Sequence, residues 1–396
     1  MAALRAGVEV RAVRARFALL GLVCMLAACA TRPRNVLLPI GTAPADARVV
    51  SMLVVSTRAE SDRPGQVYSG RRGPLPPTMR VIDVSVPPGH QIGRIEWPRR
   101  QTADPEREFA TVSIHPVDAD AVRDWFEHHS ANGHIVIYVH GFNVPFDGAV
   151  YRMAQLVADA EPEAAPVLFT WPSLGSTFAY VYDRESAAYS RDALEQVLHI
   201  AVASPRVTQV TILAHSMGTW LTMETLRQYA IREGRIDPKI TNVILASPDL
   251  DADVFRTQFE ALGAERPNFT LLIARDDRAL LLSRLLAAGV TRVGSADITR
   301  EPYRSALARV EGVTVVDMSN LREGDRSRHM LYAQSPEAVR LLSSIFMSGH
   351  ASDPLADVTI GSRVGAVIVV LVQGAANVVD QGATAVQQGP VATTPH

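Results

Sequence analysis

The sequence predicts a doubly wound, mostly parallel α/β sheet with an N-terminal extension that contains β structure. Three observations predict it. Short runs of Val, Ile and Leu bounded by turn residues recur from His134 onward, as in strands buried on both faces of a parallel sheet. Stretches with apolar residues at helical spacing alternate with these runs, the pattern that right-handed crossovers produce. Hydrophobic residues make up 47% of the 396 and charged residues 20%, enough apolar material for a sizeable core.

The chain opens on an address. Arg5, Arg11, Arg14 and Arg16 precede an apolar run from Phe17 to Ala28, and the small residues Ala27 and Ala28 precede Cys29. Charge, a short apolar stretch and a small-residue cleavage site are the layout of a signal peptide. The run is too short for the ~20 residues of helix that span a hydrocarbon core. Leu26-Ala27-Ala28-Cys29 resembles a bacterial lipobox, so residues 1–28 are expected to be removed and Cys29 to carry lipid. The mature chain is then expected in a bacterial cell envelope, anchored to the outer membrane and facing the periplasm. Residues 29–48, rich in Pro, Thr, Ala and Arg without an apolar period, read as a tether.

Residues 49–130 read as the extension, packed on the sheet. Val49 to Ser56 is a β-branched run, Arg58 to Thr78 is Gly- and Pro-heavy and reads as loop, and Val81 to Val86 alternates like a half-buried strand. Val117 to His129 has an amphipathic helical pattern. Residues 131–347 form the regular core. Strands are expected at 134–139, 167–170, 207–214, 242–246, 269–274 and 313–316, with helices at 146–160, 185–202, 217–231, 253–262, 279–288 and 336–346. Residues 348–396 begin Val-, Gly- and Ala-rich, turn polar, and read as a loosely packed helix or partly disordered tail.

Composition removes several chemistries. The formal net charge is −2 and no basic block lies beyond the leader, which argues against nucleic-acid binding through phosphates. The two cysteines, Cys24 and Cys29, both fall in the first thirty residues, so disulfide scaffolds, thiolate metal sites and a cysteine nucleophile drop out. Lys239 is the sole lysine. His128 and His129 lie near His134, but no acidic partner stands at ligand spacing. Neither a metal nor an organic cofactor is expected.

One pattern points to acyl transfer. In Ala214-His215-Ser216-Met217-Gly218 the serine falls where a β-branched run stops and a helical pattern starts, the setting of a nucleophile elbow. Small residues two before and two after the serine let the strand and helix backbones approach closely. A plain helix N-cap serine is the alternative. His140-Gly141-Phe142-Asn143 ends an earlier strand, where Gly141 would let the Phe142 N–H face a developing oxyanion together with that of Met217. Asp277 and His329 follow in the order acid then base, and His329 is the only histidine between Ser216 and the last predicted helix. Asp276 and Asp249 are alternative acids. Asn143, Trp171, Ser173 and Tyr180 are candidates for the substrate cleft; Tyr180, with Tyr182, Asp183 and Arg184, could equally form a buried polar network.

Ser56-Thr57-Arg58, His140-Gly141-Phe142-Asn143, Trp171-Pro172-Ser173, Ala214 to Gly218, Pro248-Asp249-Leu250-Asp251 and Arg275 to Leu280 together resemble an uncharacterised bacterial branch of the α/β-hydrolase superfamily. The resemblance covers residues 49 to 347. It implies an α/β-hydrolase fold of the serine type, puts the acid on Asp277, and leaves the substrate open. The expectation is a serine hydrolase, esterase- or lipase-like, that cleaves a small-molecule or lipid ester through Ser216, His329, Asp277 and an acyl-enzyme. The alternative is a non-catalytic envelope lipoprotein that binds or scaffolds on a hydrolase fold.

Overall fold

The computed structural model describes residues 34–129, 132–286, 290–297, 300–301, 312–321, 326–348, 363–364 and 367–372. The expected signal peptide and lipidated Cys29 lie outside the described residues, as does most of the tail. The strands are β1 (Arg48–Ser56), β2 (Arg58–Glu60), β3 (Tyr68–Arg72), β4 (Thr78–Val86), β5 (Ala110–Pro116), β6 (His134–Val139), β7 (Ala165–Thr170), β8 (Gln209–His215), β9 (Ile240–Ala246), β10 (Asn268–Ile273), β11 (Val313–Asp317), β12 (Arg363–Val364) and β13 (Val367–Val372). Among the described residues, eleven of them make one sheet in the order β12-β13-β11-β10-β9-β8-β6-β7-β1-β4-β5.

The strands from β1 through β11 in that order run parallel, while β4 with β5, and β13 with β12, extend the two flanks by antiparallel pairs. The sequence step from β7 to β8 crosses over β6, so the winding reverses between β6 and β8. Crevices outside the carboxyl ends of strands at such a reversal are where open α/β sheets bind ligands.

Alternation along the strands fills both faces. On β6, Ile135, Ile137 and Val139 face one apolar cluster with Leu194, Leu221 and Leu226, while Val136 and Tyr138 face the other with Met153 and Leu342. Each such fully buried aliphatic side chain contributes roughly 1.5–3 kcal/mol. Helices Phe146–Ala160 and Pro336–Ser348 cover one face; Ala119–His129, Arg191–Ala203 and Met217–Glu233 cover the other.

Several segments depart from expectation. The extension does not merely lie on the sheet, because β1, β4 and β5 are strands of it. Residues 58–78 hold the hairpin of β2 and β3, which glycines and prolines disguise in the sequence. The single helix expected over 185–202 is two, Tyr180–Tyr189 and Arg191–Ala203, meeting at Ser190. There the Ser190 hydroxyl donates to the Ser186 carbonyl at 2.8 Å and bonds Thr57 Oγ1 at 2.8 Å, while Ser190 N is shared between the carbonyls of Ser186 and Ala187, each at 3.1 Å. The expected tether is bound to the body: Val36 and Leu37 are buried, and Ile40 N and Gly41 N donate to the carbonyls of Thr111 and Val112. Part of the tail is strand, since β13 pairs antiparallel with β11 through a continuous Val/Ile/Leu run.

Candidate active site

Ser216 stands in the turn between β8 and the helix Met217–Glu233, with φ +52° and ψ −124°. A serine adopts such a backbone only where its surroundings force it. Here Ser216 N donates to Ala246 O at 2.9 Å and Ser216 O accepts from Asp249 N at 3.3 Å. The Ser216 side chain makes no capping bond to the helix that follows, so the plain N-cap role does not describe it. Close approach explains the flanking glycine. A Cβ on Gly218 would lie 2.4 Å from His140 O, so only glycine lets this helix rest on the end of β6.

The loop after β6 lies against the elbow. A Cβ on Gly141 would lie 2.8 Å from Ser216 Cβ and 3.0 Å from His215 Nδ1. The structure thus brings His140-Gly141-Phe142 and Ser216-Met217 together at the β6/β8 reversal. Asn143 has φ +59°, and its N–H donates to Asp183 Oδ2 at 3.2 Å.

Of the three carboxylates considered, Asp277 meets the histidine. His329 Nδ1 lies 2.7 Å from Asp277 Oδ2, while Asp277 Oδ1 accepts from Leu280 N at 3.0 Å at the start of the helix Arg278–Leu286. That helix end favours an anion, and Asp277 is fully buried. Asp276 instead pairs with Arg328 at 2.9 Å, and Asp249 pairs with Arg292 at 3.1 Å and accepts from Ser283 Oγ at 2.5 Å.

The backbone of His329 is fixed from behind. Its carbonyl accepts from His215 Nε2 and from Ser247 Oγ, each at 3.2 Å. Burial, then the nearby His329, holds His215 well below the ordinary histidine pKa. A neutral His215 leaves the adjacent imidazole free to take a proton without a like charge opposing it. Arg328, at φ +65°, donates to Ser319 O at 2.7 Å and also reaches Leu321 O, pinning the segment just before His329. Sequence reasoning gave His215, Ser247, Arg292 and Arg328 no role, and no local pattern marks them.

Two cleft expectations are corrected. Trp171 is completely buried, stacked on His140 at 4.9 Å, with Nε1 donating to His140 O at 2.9 Å. Ser173 is also buried, donating to Asp183 Oδ2 at 2.5 Å and accepting from Val144 N at 3.0 Å. Both side chains are taken up by protein partners that support the loop. Asp183 accordingly belongs to a buried polar network. Tyr180 is half-buried and packs edge-on to Phe142 at 5.4 Å, its hydroxyl 3.3 Å from both Asp249 Oδ2 and Ser283 Oγ. The histidines near residue 130 have protein partners: His128 and His129 bond carbonyls one turn back, and His134 Nε2 bonds Thr211 Oγ1. A separate cavity lined by Arg34, Tyr68, Phe146 and Asp147 lies behind the loop and includes none of Ser216, Asp277 and His329.

The fold is that of an α/β hydrolase, a mostly parallel sheet flanked by helices with a strand-turn-helix serine at its reversal. More particularly, a family model described as "Alpha/beta hydrolase of unknown function (DUF900)" matches residues 118–345, over half the chain, and the chain belongs to that family. A relative in Nostoc sp., described as uncharacterized protein alr1448, is 30% identical over 153 residues, covering 32% of this chain and 39% of that protein. The match therefore spans well under two thirds of the relative's length. Similar solved structures include a lipase-esterase related protein from Clostridium acetobutylicum, at 11% identity and TM-score 0.33, covering 55% of this chain and 96% of that one. An esterase of Pyrobaculum calidifontis is 13% identical with TM-score 0.31, covering 76% of this chain and 86% of that one.

Proposed function

We propose that the protein is a serine hydrolase that cleaves a carboxylic ester, or a related acyl bond, in two steps. Ser216 Oγ attacks the acyl carbon while His329 takes the hydroxyl proton. Asp277 holds the Nδ1–H of His329 and stabilises the imidazolium. The N–H groups of Phe142 and Met217 receive the negative charge on the carbonyl oxygen, the latter aided by its place at a helix N-terminus. His329 then returns the proton to the leaving alkoxide, and water, deprotonated by the same imidazole, releases the acid from Ser216.

The observation that carries this reading is the 2.7 Å pair between His329 Nδ1 and Asp277 Oδ2 on the sheet edge that also carries the strained, non-capping Ser216. A fluorophosphonate probe tests it on the purified mature protein: Ser216 is labelled in the wild type and Ser216→Ala takes up none. Equal labelling of both proteins, or none of either, would end the reading. A non-catalytic scaffold would instead show Ser216→Ala and wild type complementing a deletion strain equally well.

The leader supports a second element, attachment of the mature chain to the bacterial envelope by lipid on Cys29. Metabolic labelling with an alkyne fatty acid is expected to mark the wild type and not Cys29→Ser.

A further inference from the structure

We propose that Arg58 is a positioning residue for acyl transfer: it fixes the tautomer of His140, and through His140 the direction of the Phe142 N–H. The inference rests on the reading of Ser216 as nucleophile and extends it to a residue of the N-terminal extension.

Arg58 starts β2, one residue after the end of β1, and is 1% exposed. Its Nε donates to Thr170 Oγ1 at 2.8 Å, Nη1 to Ser173 O at 3.1 Å, and Nη2 to Val144 O at 2.9 Å. Nη2 also lies 3.0 Å from His140 Nε2. Burying a guanidinium without a carboxylate in direct contact is costly, so a stability role alone accounts for it poorly. Burial lowers its pKa to about 10, with Asp183 and Asp147 opposing the fall, and the group stays charged at neutral pH.

An arginine only donates, so His140 Nε2 must accept. Two other donors agree. Trp171 N–H points at the same nitrogen from 3.2 Å, and the Thr170 hydroxyl, whose oxygen accepts from Arg58, lies 3.1 Å away. The ring proton is therefore on Nδ1, which lies 2.8 Å from Gly141 O, an atom that can only accept. Burial first, and the Arg58 charge second, hold the ring neutral.

In a trans peptide the carbonyl of Gly141 and the N–H of Phe142 point in opposite directions. Tying the carbonyl back to His140 turns the N–H away from that ring. Gly141 stands against Ser216 Cβ, so the orientation of this peptide matters at the nucleophile. The other tautomer would set a nitrogen lone pair against the Gly141 carbonyl and release the peptide to flip. A flipped peptide would present an oxygen, not a donor, to the developing oxyanion.

Arg58→Lys in the full-length protein tests this, since an ammonium cannot reproduce the fork. The expected result is a fall of about tenfold to hundredfold in kcat toward a p-nitrophenyl ester and in the fluorophosphonate labelling rate of Ser216, with KM for that ester within about twofold; loss of a whole oxyanion donor costs ~10²–10³. A second measurement reads the tautomer in the wild type itself. In ¹⁵N-histidine-labelled wild type, the His140 signal, assigned by its loss in His140→Gln, should show a protonated Nδ1 and an unprotonated Nε2. A proton on Nε2, or Arg58→Lys labelling at the wild-type rate, overturns the inference while leaving the nucleophile in place. A wild type that is not labelled at Ser216 removes both.

Discussion

Ser216 and Asp277 show how differently two site residues are written into a chain. The serine is legible because its backbone demand is local: a strand must stop, a helix must start, and Gly218 must spare His140 O a collision. The acid is not, because Asp276 and Asp277 are neighbours whose side chains diverge, one to Arg328 and the other to His329. That divergence depends on a segment some fifty residues later. Two substitutions separate the aspartates by what they lose. Asp277→Asn is expected to lower kcat by ~10⁴ with folding retained, because the tautomer of His329 is no longer held. Asp249→Asn is expected to destabilise by about 3–5 kcal/mol in chemical unfolding, because it strands the buried Arg292. Comparable activity losses with unchanged stability in both would contradict this division.

Segments were legible where their burial was uniform. β6, β8 and β10 sit in mid-sheet, apolar on both faces, and the pattern marks them without ambiguity. The β2–β3 hairpin was hidden because Gly70 and Gly73 must approach the backbones of Ser173 and Arg58 to within 2.6 and 2.4 Å of a built Cβ, which imposes a loop-like composition on a paired segment. Gly218→Ala is expected to cost about 1–3 kcal/mol in thermal unfolding, as overpacked positions do. A second test concerns His90, which bonds Glu96 within the connection after β4 and Asp159 on the helix Phe146–Ala160, each at 2.7 Å. Burial works against its charge, but the bonds to Asp159 and Glu96 prevail and raise its pKa to about 9. A folded-state pKa above the unfolded ~6.5 gives stability that is complete below pH ~6.5 and lost as pH rises through 9. His90→Gln should therefore melt below the wild type at pH 6 and converge with it above pH ~9.

At the scale of the molecule, the α/β class was readable from alternation alone, but the sheet was underestimated at both flanks. Pairing between β1 and β7, or β11 and β13, joins segments more than a hundred and more than fifty residues apart, and no local spacing announces such partners. The stretch that defines the family, residues 118–345, omits β1, β4 and β5. Expressed alone, it is expected to be insoluble or unfolded by circular dichroism, since β7 would present a bare apolar edge. A soluble, cooperatively melting fragment would show that the added strands are dispensable.

The binding of residues 36–41 to the body also sets a leash length. The first interior side chain, Val36, stands seven residues after Cys29, a chain length of at most about 25 Å. With Cys29 acylated as proposed, that span would hold the body of the protein close against the bilayer.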